Sequence, residues 1–343
     1  MTSDDLLRHH GDVDAAPGLV DFAVNVRGGR PPEWLLERLV GALGRVGVYP
    51  SAADDLRARE AVAARHGCEP EAVVVLNGSA EGFSLVPRVV ESRAAVVHPQ
   101  FTEPEVALRS AGVPVHRVLL DQEDGFRLHP DRVPQDADLV VIGNPTNPTS
   151  TLHPADAIRE IASASNTRTV LVDEAFMDAI PGEPETLAGE PNTLVFRSLT
   201  KTWALPGLRA GYAIGHPDLI TRLTANRPQW PVSTLVLEAV TACCEVPALA
   251  ESEIAALDSQ AHREALQVEL ADFVLGDPRA PFLLIQVPDG ERVRSALRDR
   301  GIAVRRGDTF PGLGPDHLRV AVRSPGECEP LIAALRAELE VRS

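Results

Sequence analysis

Lysine is almost missing from this 343-residue chain: of its 33 basic side chains one, Lys201, is a lysine and the rest are arginines. Arginine replaces lysine as a solvated charge almost anywhere, but only an ε-amine with a tunable pKa attacks a carbonyl and forms a Schiff base. A compositional drift toward Ala, Arg, Gly and Pro removes lysine without any functional cause, so the count by itself leaves drift and function both open. Positive charge in excess is absent too. The formal net charge of −16 excludes a nucleic-acid or anionic-membrane partner, since both need a basic footprint. Cysteine is scarce: Cys68, Cys243, Cys244 and Cys328 form no CxxC pair and have no histidine at metal-ligand spacing. They suggest neither a zinc site nor a disulfide framework, and read as reduced thiols of a cytoplasmic protein. No apolar stretch approaches the roughly 20 residues of a membrane span, and the acidic start MTSDDLLRHHGDVDAAPG lacks the apolar run of a signal peptide.

What is present is an alternation of short β-branched runs with helical patterns. The runs fall at 72–76, 94–98, 113–120, 138–143, 167–175, 192–198 and 210–215. Continuous apolar runs of this length read as strands buried on both faces, with room for crossover helices between most of them. This predicts an α/β architecture built on a mostly parallel seven-stranded sheet. From about residue 228 the texture changes: 227–273 reads as long helix, followed by strand, helix, strand, strand, helix, the pattern of a small α+β domain. The expected organisation is an N-terminal arm contributing to the small domain over 1–44, a large domain over 45–230 and a small C-terminal domain with its linking helix over 231–343.

Four segments sit at the ends of predicted strands, where open α/β sheets place their ligands. LNGSAEGF (76–83) puts a glycine turn before a helix, so that the amides of Ser79 and Ala80 face an anion; the plainer reading is a helix cap. GNPTNPTS (143–150) fixes two Asn-Pro pairs after a buried strand, or is simply a rigid turn. TVLVDEAFMD ends a strand on Asp173 and Glu174, but no GxxxxGK[ST] exists to make it the magnesium strand of a nucleotide hydrolase. RSLTKTWALPGLRAGY (197–212) flanks Lys201 with Ser198 and Thr200 and places Arg209 eight residues later. Together they supply an amine for a Schiff base, a carboxylate for a pyridinium nitrogen, an asparagine for a phenolate oxygen, and hydroxyls, amides and an arginine for a phosphate. Pyridoxal 5′-phosphate requires those parts of its protein.

In this motif order the chain, from about residue 20 to its C-terminus, resembles the pyridoxal-phosphate-dependent transferases of fold type I, in the class I/II aminotransferase family. The resemblance implies that Lys201 is the Schiff-base lysine and that Asp173 holds the pyridine nitrogen protonated. It further implies that Asn147 bonds the phenolate oxygen and that Phe101 stacks on the ring. Ser79, Ala80, Ser198, Thr200 and Arg209 would bind the phosphate. Tyr49 matches a tyrosine that in relatives reaches the phosphate across a dimer interface, implying a homodimer with shared active sites. Phe176 stands where many aminotransferases have a tyrosine, and Ser150 replaces the usual glycine of NPTG.

Within the family two groups are most similar: the threonine-phosphate decarboxylases of cobalamin biosynthesis and the histidinol-phosphate aminotransferases. The N-terminal His10-Gly11 pair before DFAVN, with Asn25, resembles the first group. So does the C-terminal GIAVRRGDTFPGLGPDHLRVAVRSP, with Arg305 and Arg319 as candidates for substrate phosphate and carboxylate. The expectation from sequence is therefore an enzyme acting on a small phosphorylated amino acid, first a decarboxylase and second an aminotransferase dependent on an amino donor. NVRGGRPP (25–32) departs from the NxNPxGPP of both groups.

Overall fold

The computed structural model describes residues 6–340; Met1–Asp5 of the acidic N-terminal stretch lie outside them. All seven expected strands form one sheet: β2 (Val73–Leu76), β3 (Ala94–His98), β4 (Val115–Leu119), β5 (Leu139–Gly143), β6 (Thr169–Asp173), β7 (Thr193–Ser198) and β8 (Gly211–Gly215). Their order is β2-β8-β7-β6-β5-β3-β4, and only β8 runs against its two neighbours. Side chains along β6 alternate between two covered faces. Val170 and Val172 join one apolar cluster, Leu171 the other, and all three are fully buried. A strand buried on both sides has no polar face to show, which is why these runs read as continuous rather than alternating.

A second sheet has the order β1-β10-β11-β9, from β1 (Val20–Phe22), β9 (Phe282–Gln286), β10 (Ile302–Arg306) and β11 (His317–Ala321). The N-terminal β1 pairs in parallel with β10, so residues 20–22 are woven into the same sheet as the last strands of the chain.

Local signals set several helix ends. Ser51 and Asp54 form a reciprocal capping box at the start of Ala52–His66, and Gly67 ends it in the left-handed conformation at φ 65°. The expected long helix is two helices, Thr234–Cys243 and Val246–Glu269, and 227–233 is not helical. Ser233 caps the first. The second restarts after an extended Glu245, with Pro247, which has no N–H to give, in its first turn. All four cysteines are free thiols, and three are buried. Among the described residues no helix is long and apolar enough to cross a membrane, and no group of three metal-ligating side chains forms.

Candidate active site

Parallel strands that run the same way deliver their C-terminal ends to one edge of the sheet, and the four motifs meet there. Gly143, Asp173 and Ser198 close β5, β6 and β7, and the register sets Gly143 against Asp173 and Ser198 against Gly211. Lys201 follows in the single turn Leu199–Thr202.

Packing around Lys201 and Asp173 moves both pKa values toward neutrality. Burial, reinforced by Arg209 and Arg319, lowers the Lys201 amine to about 8, with Asp173 pulling the other way. Burial raises the Asp173 carboxyl to about 6, against the Ala175 N–H, which donates to Oδ1 at 3.2 Å, and against Lys201. Both residues are only partly buried, and Lys201 lines the cleft. Phe176 packs on the amine with its ring centroid 5.7 Å from Nζ, and edge-on to Phe282 at 4.9 Å.

The expected phosphate residues converge. Ser198 Oγ and Thr200 Oγ1 lie 2.8 Å apart, both buried. Gly78 has φ 75° and ψ 158°, backbone that is essentially glycine's alone. A Cβ there would stand 2.8 Å from the Arg209 guanidinium, so the glycine lets the arginine lie over the turn that precedes Ser79 and Ala80. At Gly211 a Cβ would meet the Arg197 carbonyl at 2.8 Å and the Ser79 amide nitrogen at 3.2 Å. Two short side chains, an exposed guanidinium and a turn that cannot take a Cβ leave a cradle of donors suited to a phosphate. A carboxylate and an amine at the neighbouring strand ends suit a pyridine nitrogen and a carbonyl. The residues present fit pyridoxal phosphate.

Arg319 is buried and has three demands to meet. Nη1 donates to Asn147 Oδ1 at 2.6 Å, Nη2 donates to the Ala23 carbonyl, and Nε has no partner. Burial and the nearby Arg305 lower its pKa to about 9. Asn25, buried, leaves both amide atoms unpartnered in the cleft that also holds Lys201, a cavity of about 790 Å³. Gly11 is required by space, because a Cβ would stand 2.5 Å from the Ala23 carbonyl oxygen. His10 bonds Glu103 at 2.6 Å and lies 5.3 Å from Phe101, so the N-terminal arm covers that ring.

One of the expected residues stands differently. Arg305 is not an open cation: Nη1 pairs with Asp14 at 3.2 Å, and Nη2 donates to the His9 carbonyl and Thr309 Oγ1 at 2.6 Å each. Tyr49 is 72 % exposed and stacks on Trp230 at 4.3 Å.

A buried charge network behind the site has no counterpart in the sequence motifs. Arg197 is fully buried in β7, four residues before Lys201. Its Nε lies 2.9 Å from Glu174, its Nη1 2.5 Å from Asp178, and Nη2 pairs with Glu183. Arg65 reaches Asp178 at 3.1 Å and Glu183 at 2.6 Å. Burial pushes Glu183 up, but the two guanidinium groups outweigh it and hold the carboxyl at about 2. The one available signal was an arginine inside the apolar run NTLVFRS, after a segment from Asp173 that carries the acids Glu174, Asp178 and Glu183 among others.

The sequence model described as aminotransferase class I and II matches residues 17–335. The chain is 49 % identical over 334 residues to a histidinol-phosphate aminotransferase of Mycobacterium tuberculosis, covering 96 % of this chain and 90 % of that one. It is 31 % identical over 333 residues to the threonine-phosphate decarboxylase of Salmonella typhimurium, covering 93 % and 90 %. Among solved structures it is similar to the histidinol-phosphate aminotransferase of Sinorhizobium meliloti in complex with pyridoxal 5′-phosphate. That match has a TM-score of 0.78 at 22 % identity and covers 93 % and 90 % of the two chains.

Proposed function

This chain belongs to the aminotransferase class I and II family of pyridoxal-phosphate-dependent enzymes, and on that premise we propose that it is an aminotransferase of histidinol phosphate, working as a cytoplasmic homodimer. One observation carries the choice of substrate. Arg305 is neutralised by Asp14, while Arg319, on the next strand and opposite it in the ladder, has no carboxylate partner among the described residues and keeps an unpartnered Nε. One buried guanidinium without a carboxylate partner suits a substrate with one anion near its reacting carbon. Histidinol phosphate has one, its phosphate; threonine phosphate has two and would need both arginines. The identity of 49 % against 31 % supports the same order, so the decarboxylase that the terminal motifs suggested first takes second place.

The bound cofactor supplies a carbonyl that condenses with amines and a ring that accepts the electron pair released at the substrate's Cα. The rest is the protein's own work. Lys201, with its amine near 8, is neutral in part at physiological pH, so Nζ would hold the cofactor through its carbonyl carbon and would serve as the base for the proton at the substrate's Cα. Asp173, near 6, is ionised at that pH and would pair with the pyridine nitrogen, favouring its protonated form. Asn147 and Arg319 act as a hydrogen-bonded pair, the amide toward the phenolate oxygen and the guanidinium toward the substrate anion. Ser79, Ala80, Ser198, Thr200 and Arg209 anchor the cofactor phosphate, joined by Tyr49 of the partner subunit, while Phe101 covers the ring. His10, Gly11 and Asn25 close the substrate side.

Incubation with histidinol phosphate and with threonine phosphate, each with and without 2-oxoglutarate, tests this reading. Glutamate formed from 2-oxoglutarate and histidinol phosphate is the expected product. Carbon dioxide released from threonine phosphate without the keto acid, and no glutamate from histidinol phosphate, would overturn it.

A further inference from the structure

Ser150 stands where the family motif has a glycine, and its backbone keeps the conformation that favours glycine, with φ at 63°. A side chain in that region costs conformational energy, so a residue that stays there is held by its contacts. Ser150 is completely buried, and its hydroxyl joins the two sheets. Oγ accepts the Ala280 N–H at 2.8 Å and donates to the Ala280 carbonyl at 3.2 Å. Ala280, also completely buried, lies two residues before β9 begins. Backbone contacts flank this pair: the Arg279 N–H donates to the Ser150 carbonyl at 2.8 Å, and Thr151 bridges to Pro278. The turn after β5 of the large sheet is thus tied to the segment that leads into the second sheet.

The same turn carries Asn147, which meets the second sheet at another point. Asn147 Oδ1 accepts from Arg319 Nη1 at 2.6 Å, and Arg319 on β11 sits opposite Leu284 of β9. Phe282, the first residue of β9, has its ring centroid 5.5 Å from the Arg319 guanidinium carbon and lies edge-on to Phe176 at 4.9 Å. Among the described residues no carboxylate holds this guanidinium, so its place depends on how the turn and the second sheet are set against each other. A turn tied to that sheet at one point can rock; tied at Ala280 and at Arg319, it cannot. The hydroxyl is the part of this tie that a glycine cannot supply. We propose that Ser150 is a positioning residue for Arg319: its Oγ locks the Asn147 turn to the lead of β9 and so holds the guanidinium where it meets the substrate's anion. This rests on the role given to Arg319 under the proposed function.

Two variants separate the hydroxyl from the backbone. Ser150→Ala removes Oγ and keeps the strained φ, whereas Ser150→Gly removes Oγ and relieves it, and so keeps the test available if the alanine variant does not fold. Both are expected to raise the KM for histidinol phosphate on the order of ten-fold, the worth of one to two neutral hydrogen bonds, with kcat little changed. A second measurement needs no substrate. In the holoenzyme the pH midpoint of the visible absorbance reports the protonation of the Lys201 nitrogen, and the Arg319 cation makes that nitrogen harder to protonate. Each Ser150 variant is expected to move the midpoint up, toward that of Arg319→Gln, and to move it no further once Arg319→Gln is present. An unchanged midpoint overturns the assignment whatever the KM does. So does a shift of equal size in the Arg319→Gln background, because Ser150 would then act past Arg319 rather than through it. If histidinol phosphate is not turned over at all, that substrate reading falls, and the midpoints still decide this one.

Discussion

With a single lysine in the chain, the acidity of the catalytic amine can be read directly. Protein made with lysine labelled at the ε-carbon, stripped of cofactor, gives one side-chain signal in a carbon NMR spectrum, and its titration belongs to Lys201. The expected midpoint is about 8, against 10.5 for a free lysine. A displacement of that size corresponds to about 3 kcal/mol between the two protonation states, and at pH 7.5 it raises the neutral fraction from about 0.1 % to about 24 %. The largest cause is burial, followed by Arg209 and Arg319, with Asp173 opposing. Arg209→Gln and Arg319→Gln are each expected to move the midpoint up, and Asp173→Asn to move it down. The sign carries over to stability. A base whose pKa is depressed by folding weakens the fold below pH 8, where folded and unfolded chains are both protonated, and that penalty disappears as pH rises from about 8 to 10.5. A midpoint near 10.5, or one indifferent to both arginines, would refute the account of how this amine is made nucleophilic.

Three further outcomes follow from contacts in and around the site. Gly78→Ala places a Cβ 2.8 Å from the Arg209 guanidinium at φ 75°. It should cost about 1–3 kcal/mol by thermal unfolding and weaken pyridoxal-phosphate binding, measured by the visible absorbance retained on dialysis. Arg197→Met leaves Glu174, Asp178 and Glu183 without their shared buried cation; a loss of about 3–5 kcal/mol in denaturant unfolding is expected, with unaltered stability counting against the network. Asp14→Asn releases Arg305 from its carboxylate, so the kcat/KM or inhibition constant of threonine phosphate should improve several-fold relative to histidinol phosphate, about the worth of one charge-assisted contact.

How far the chain could be understood before folding is clearest at particular residues. The sequence by itself determined the strands of the large sheet: six are covered on both faces and mostly apolar, as at Val170, Leu171 and Val172, while the edge strand β4 keeps polar and exposed positions. It also determined the cofactor chemistry, because Lys201, Asp173, Asn147 and Arg209 each belong to a short segment whose local geometry is set by its own glycines, prolines and hydroxyls. The break at Glu245 and Pro247 was missed because helix period continues across it, and backbone restart is a smaller signal than hydrophobic spacing.

Tertiary structure alone decided which charges are free. Arg305 and Arg319 look alike along the chain, on neighbouring strands of one sheet, yet the first meets Asp14, 291 residues away, and the second does not. Arg197 is one arginine among many until the fold surrounds it with Glu174, Asp178 and Glu183. Local segments encode what a side chain can do; pairing across hundreds of residues sets whether its charge or its hydrogen bond is already taken, and no short-range pattern records that.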